Sequence, residues 1–290
     1  MIISASYKTD IPAWYGEWFV NRLRAGYALV ANPYNNVVSR VELTREAVDG
    51  FVFWTRRIRP FLKHLPELRE RGFPFIVHQG ILGYPRELEV TQMPVEQAAE
   101  DMHLPAREYH RRTAIWRYDP ILFTSLTPFE WHLSNFQRIA EQVSGATDEV
   151  VVSFAQIYQK TQRNLEQAAR EHGFTWEDPA DEVKRELAGQ LAEIAREYGI
   201  QLSMCAQSQY LVEGVAEARC VDPFRLSEVA GYMIEAPKKP HRKGCGCYQS
   251  KDIGAYNTCP HGCVYCYAVA GCTAARERLK GHDPEAERLG

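Results

Sequence analysis

Three cysteines, Cys259, Cys263 and Cys266, stand within eight positions of the stretch DIGAYNTCPHGCVYCYA (252–268). A C-x3-C-x2-C loop is short enough to wrap three corners of one iron-sulfur cubane. Structural zinc usually takes two separated pairs of cysteine or histidine ligands, so a zinc alternative would need Cys247 or His261 to complete its tetrahedron. The plainer alternative is three inert core thiols, with Pro260 and His261 as loop formers and Tyr265 and Tyr267 as packing. Of the other cysteines, Cys205, Cys220, Cys245 and Cys247 are spaced so that all four could meet, and four thiolates suit a second, fully ligated cluster or a zinc ion. For Cys205 and Cys220 a buried small hydrophobe is the competing reading. Cys272 has no assignment.

Outside the cysteines, WRYDP (116–120) is the best candidate for polar chemistry. It sets Arg117 and Asp119 two residues apart at the end of a strand-like run. A fixed cation could grip an anionic substrate group while the acid takes a hydroxyl or amine. The competing reading is an ion pair that only shapes its loop.

These groups must be carried by something. Short β-branched runs recur at 2–7, 27–31, 51–55, 73–78, 113–117, 149–154 and 200–205, each reading as a buried strand. Helical spacing lies between them, as in the run from Pro179 in which Val183, Leu187, Leu191, Ile194 and Tyr198 recur until Gly199. Another helix is expected near Pro12, with Asp10 as its cap. The alternation predicts parallel βα units, an α/β fold of (β/α)8 TIM-like barrel type, with the eighth strand near 218–222. An open doubly wound sheet is the alternative, although no glycine-rich phosphate fingerprint follows any strand. In a barrel, strand C-termini surround the site, which selects Asp10, Asn32, Arg117, Asp119 and Tyr158. Trp54 and Trp116 read more simply as core.

From Ala236 the texture turns basic and rich in Gly and Pro. The expected division is therefore a barrel over 1–235 and a cysteine-rich segment over 236–290 that is ordered by metal and packed on the barrel mouth. The chain has 290 residues, a net charge of -3 and 45% hydrophobic residues, enough for a large core. The charge balance gives no indication of nucleic-acid binding, and no apolar run approaches a membrane span. A cytoplasmic protein is expected, in which cysteines serve as ligands rather than staples.

The triad, with Tyr265 directly before its third cysteine, resembles the cluster motif of the radical S-adenosylmethionine superfamily. That resemblance implies a 4Fe-4S cluster on Cys259, Cys263 and Cys266, with one iron left open to chelate S-adenosylmethionine and Tyr265 near the adenine. It also implies a carbon radical as the reactive species and an electron donor such as a ferredoxin or flavodoxin. In that superfamily the motif follows the first strand, whereas here it follows the last. A barrel softens the difference, because its last strand neighbours its first. The alternative class is an electron-transfer or redox-sensing protein whose cluster has four protein ligands.

KTDIPAWYGEWFVNRLRAGYALVANPYN (8–35), FVFWTRR (51–57), WRYDPIL (116–122) and CGCYQSKDIGAYNTCPHGCVYCYA (245–268) resemble the bacterial family called domain of unknown function 1848. The resemblance supports cluster binding near the C-terminal end and implies no substrate. The chain carries Tyr7-Lys8 where that family leads one to expect paired arginines.

Overall fold

The computed structural model describes residues 1–91 and 93–290. Its strands are β1 (Ile2–Ala5), β2 (Tyr27–Ala31), β3 (Val38–Glu42), β4 (Gly50–Thr55), β5 (Phe75–Gly80) and β6 (Ala114–Ile121). They continue with β7 (Phe123–Thr124), β8 (Glu149–Phe154), β9 (Trp176–Glu177), β10 (Gln201–Met204), β11 (Val215–Glu217) and β12 (Ser250–Asp252). The helices are α1 (Ile11–Trp14), α2 (Gly16–Ala25), α3 (Leu65–Glu70), α4 (Val95–Glu108) and α5 (Phe129–Val143). After these come α6 (Gln159–His172), α7 (Asp181–Glu197), α8 (Pro223–Ala230) and α9 (Cys272–Lys280).

Among the described residues, eight strands form one sheet in the order β11-β10-β8-β6-β5-β4-β1-β12, with every neighbouring pair parallel. The strand sequences are nearly continuous in hydrophobicity because both faces are covered. On one face, Phe51, Phe53, Phe75 and Val77 pack with Trp18, Phe19 and Phe61, while Trp116, Val150, Val152 and Leu202 pack with Phe136, Leu187 and Leu191. The alternate residues Ile2, Val52, Ile76, Ile115 and Val151 form a third cluster with Cys205, Cys220, Cys245 and Cys247. No helix among the described residues is long and apolar enough to cross a membrane.

Two strand expectations need correction. Residues 27–31 do form a strand, but it pairs antiparallel with β3 in a separate ribbon instead of joining the main sheet. The polar turn at 32–37 returns the chain at once, which no parallel crossover could do. The strand near 218–222 lies at 215–217, where it pairs with β10. The sheet's other end is β12, contributed by the cysteine-rich segment and paired with β1. Among the described residues no ladder joins β11 to β12, so this parallel sheet of the α/β fold has two ends; a backbone bond from Tyr248 N to Val221 O (3.1 Å) links the segments beyond them.

The helices match their signals more closely. Asp10 caps α1, its Oδ1 accepting from Ala13 N at 2.9 Å. The helix from Asp181 ends at Glu197, just before Tyr198 and a left-handed Gly199.

Candidate functional site

Strand β12 explains how a motif from the end of the chain reaches the sheet. Its parallel pairing with β1 sets Asp252 beside the first strand's exit. There the carboxylate accepts from Ser4 Oγ (3.0 Å), Ser6 Oγ (2.8 Å), Tyr7 N (3.0 Å) and Gly254 N (2.9 Å), and pairs with Lys8 Nζ at 3.3 Å. Lys8 therefore has a carboxylate of its own. Gly254 is needed at this point, since a Cβ there would lie 2.1 Å from Ser6 Oγ.

Beyond β12 the chain crosses the C-terminal ends of the strands. Val264 N bonds Leu88 O at 3.1 Å, Thr91 N bonds His261 O at 3.1 Å, and Cys266 N closes a turn on Cys263 O at 3.1 Å. Gly262, at φ 76°, makes the sharp bend between the first two cysteines. His261 Nε2 lies 2.8 Å from Asp10 Oδ2, so Asp10 both caps α1 and moors the loop.

The loop roofs a cavity of about 290 Å³. Cys259, Cys263 and Cys266 line it together with Tyr265, and the strand ends supply Ser6, Thr55, Arg56, Arg117, Asp119 and Ser153. The sequence-predicted residues Asp10 and Tyr158 are also on its wall. Asn32 is not, because the β2–β3 ribbon carries it to a separate groove beside Lys251 and Asp252. Trp116 is core, as expected, but Trp54 lines the cavity and stacks on His78, their ring centroids 4.5 Å apart.

Arg117 and Asp119 occupy the same side of β6, as strand alternation requires, and both line the cavity. The guanidinium grips Asp119 through Nε (3.1 Å) and Nη2, and Asp119 Oδ1 also accepts from Ser153 Oγ. Arg117 lies over the Trp54 ring at 5.1 Å and reaches Cys220 Sγ with Nη1 at 3.3 Å.

A second ion pair was not singled out in the sequence. Arg56, at the end of β4, is paired with the buried carboxylate of Glu89 and donates to Tyr265 Oη at 2.8 Å and to Cys263 Sγ at 3.1 Å. Tyr265 Oη in turn donates to Glu89. Arg56 was visible as the first charge after FVFWT; nothing in the local sequence marked Glu89.

The triad thiols share one electrostatic condition. Burial pushes Cys263 up to about 12, opposed by the Arg56 charge. It also lifts Cys259 well above the ordinary thiol range, with the Asp10 charge adding to the effect, and raises Cys266. Three desolvated thiols resist ionisation until a cationic centre compensates them, and such a centre would draw off their protons. Three soft donors on one turn therefore fit a thiolate-ligated iron centre in donor chemistry. Among the described residues, no three Cys, His, Asp or Glu side chains are gathered as a ready-made site for a single metal ion.

Cys205, Cys220, Cys245 and Cys247 are brought together, but inside the sheet and beneath this cavity rather than on its wall. Cys272, at the start of α9, lies behind the triad loop; its Sγ approaches Pro260 O at 3.2 Å, and it shares an outer cavity of about 360 Å³ with all three triad cysteines.

Comparison with known proteins gives structural likeness of low extent. A D-hydantoinase crystal structure aligns at 11% identity and a TM-score of 0.32, over 71% of this chain and 42% of that one. A D-hydantoinase from a Bacillus sp. AR9 aligns at 12% identity and a TM-score of 0.30, over 55% of this chain and 34% of that one. The chain thus spans less than half the length of either structure. No curated protein matches it. The family described as domain of unknown function (DUF1848) matches residues 2–268, and the chain belongs to it.

Proposed function

We propose that this DUF1848 chain is an iron-sulfur enzyme in which Cys259, Cys263 and Cys266 hold a 4Fe-4S cluster over the strand ends, with S-adenosylmethionine as the second cofactor. The observation that carries this reading is the shared cavity: three thiols on one turn line the same space as the C-terminal ends of β4, β6 and β8. When bound and reduced, such a cluster with an open iron supplies reductive cleavage of the cofactor to a carbon radical. The chain's own part is positioning. Arg56 and Glu89 hold Tyr265 beside the third cysteine. Arg117, clamped by Asp119, presents a fixed cation for an anionic group, and Asp119 is the acid or base within reach.

The finer fold reading belongs to the same proposal. The clean division of strand residues into an inner set (Ile2, Val52, Ile76, Ile115, Val151) and an outer set supports a sheet rolled toward a (β/α)8 barrel. The segment from 236 to 290 then acts as a cluster-binding extension seated on the mouth. A ferredoxin- or flavodoxin-type donor would supply the electron.

The second reading, an electron-transfer or sensing protein, is favoured by one observation. Cys272 is a fourth thiol behind the loop that carries the other three. One experiment separates the two. Anaerobically prepared protein should hold roughly four irons per triad cluster, and S-adenosylmethionine should shift the reduced cluster's paramagnetic resonance and slowly yield 5'-deoxyadenosine. The Cys266→Ala variant should lose both effects, and Cys272→Ser neither. An intact, reducible cluster that gives neither shift nor product, and that loses iron in Cys272→Ser, would establish four-ligand electron transfer instead. Stoichiometric zinc at the triad would reject both readings.

A further inference from the structure

We infer that Cys205, Cys220, Cys245 and Cys247 form a second metal centre, bound by four thiolates inside the sheet and independent of the triad.

Three separate stretches of chain deliver these residues. Cys205 follows β10, Cys220 follows β11, and Cys245 and Cys247 precede β12, so the four thiols bridge the interval between the sheet's two ends. All are buried, with exposures of 7%, 3%, 8% and 3%. Cys205 and Cys220 Sγ are 3.6 Å apart, and Cys245 and Cys247 are packed into the same buried cluster. A tetrahedron of sulfurs at Zn–S bond lengths has edges of about 3.8 Å, close to this separation.

Packing alone does not account for what surrounds them. Arg117 Nη1 donates to Cys220 Sγ at 3.3 Å, and Arg242 Nη2 to Cys205 Sγ at 3.4 Å. Arg117 has one carboxylate partner in Asp119, whereas Arg242 makes no ion pair among the described residues. Bringing guanidinium charge against four neutral thiols is costly, because a thiol is a weak acceptor. Four thiolates around a dication, or around a 4Fe-4S core of the same charge, carry about two net negative charges, toward which Arg242 and the guanidinium that Arg117 shares with Asp119 are both directed. The Cys-Gly-Cys turn points the same way. A Cβ at Gly246 would fall 2.9 Å from Ala218 O and 3.2 Å from Glu217 Cδ, so glycine allows the turn to press both flanking thiols against the end of β11.

Two of the four sulfurs are already in contact, and among the described residues no three converge on one point. Loading would therefore draw Cys245 and Cys247 in toward the Cys205–Cys220 pair. A single zinc ion and a fully ligated cluster share this thiolate chemistry, and metal analysis separates them.

The test uses the full chain with the triad removed, C259A/C263A/C266A, purified anaerobically. It should retain one metal centre per chain: either one zinc, or about four irons with equal sulfide. After chelation, added Co2+ should give sulfur-to-cobalt charge-transfer absorption saturating at one cobalt per chain. A folded triad variant with no metal and no cobalt-thiolate absorption overturns the inference, as does a metal-free chain isolated with a Cys205–Cys220 disulfide. If the triad variant does not fold, C245S/C247S in the otherwise natural chain decides. It should lose one metal centre while the triad's signal stays, and unchanged metal content would refute the assignment. Because the two sets of cysteines are removed separately, failure of the triad's cluster and failure of this centre give different results.

Discussion

Arg56 reaches Cys263: its Nη1 lies 3.1 Å from the sulfur, so the end of β4 and the second cysteine of the loop are in direct contact across 207 positions of sequence. The same guanidinium holds Glu89 and Tyr265, which makes it the hub of the roof over the cavity.

Glu89→Gln should therefore be expensive. The Glu89 side chain is 2% exposed, and removing its charge leaves the Arg56 guanidinium uncompensated in a desolvated place. A loss of about 3 kcal/mol is expected in urea unfolding. A change below about 0.5 kcal/mol would mean that water already screens the pair.

His132 provides a pH signature. It is fully buried in α5, donating from Nε2 to Leu122 O at 3.1 Å and accepting at Nδ1 from Tyr118 Oη at 2.9 Å, and burial lowers it to about 4. The unfolded chain takes up this proton near pH 6.5 and the folded chain only near 4, so the unfolded state binds more protons in between. Stability should be full above pH 6.5 and fall as pH drops toward 4, by up to about 1.4 kcal/mol per pH unit from this residue. His78, lowered by burial and the Arg117 charge, acts in the same direction. Urea titrations from pH 7 to 4.5 should show a shallower slope in His132→Gln; an unchanged slope would exclude His132 as a contributor.

Asp119→Asn preserves shape while removing the charge that clamps Arg117 and receives Ser153. Leaving the Arg117 guanidinium without its carboxylate in a mostly buried place should cost about 3 kcal/mol in urea unfolding, with iron content unaltered. A loss under about 0.5 kcal/mol would mean that water already screens this pair.

Gly254→Ala tests how the C-terminal segment is seated. The added methyl would lie 2.6 Å from Ser6 Cβ as well as against its hydroxyl, so the Asp252 network must open. Destabilisation of about 2–3 kcal/mol is expected by thermal unfolding. Wild-type stability would show that β1 and the segment after β12 can part without loss.

Local information carried much of this. The triad spacing, the helix ending at Gly199, the cap at Asp10 and the strands at 51–55 and 149–154 depend on residues near one another, where periodicity and capping act. That Arg117 and Asp119 share a face follows from strand alternation alone. Family membership, too, is legible in the chain's own segments. Pairing partners were not legible. A β-branched run such as 27–31 looks the same whether its neighbour is a parallel strand or a hairpin mate, and three polar residues such as 250–252 carry no strand signal until β1 offers its edge. Contacts between distant segments decided the rest: Glu89 under Arg56, His261 on Asp10, and four cysteines in one interior. Such contacts depend on the whole chain packing at once, so only the tertiary structure could select them.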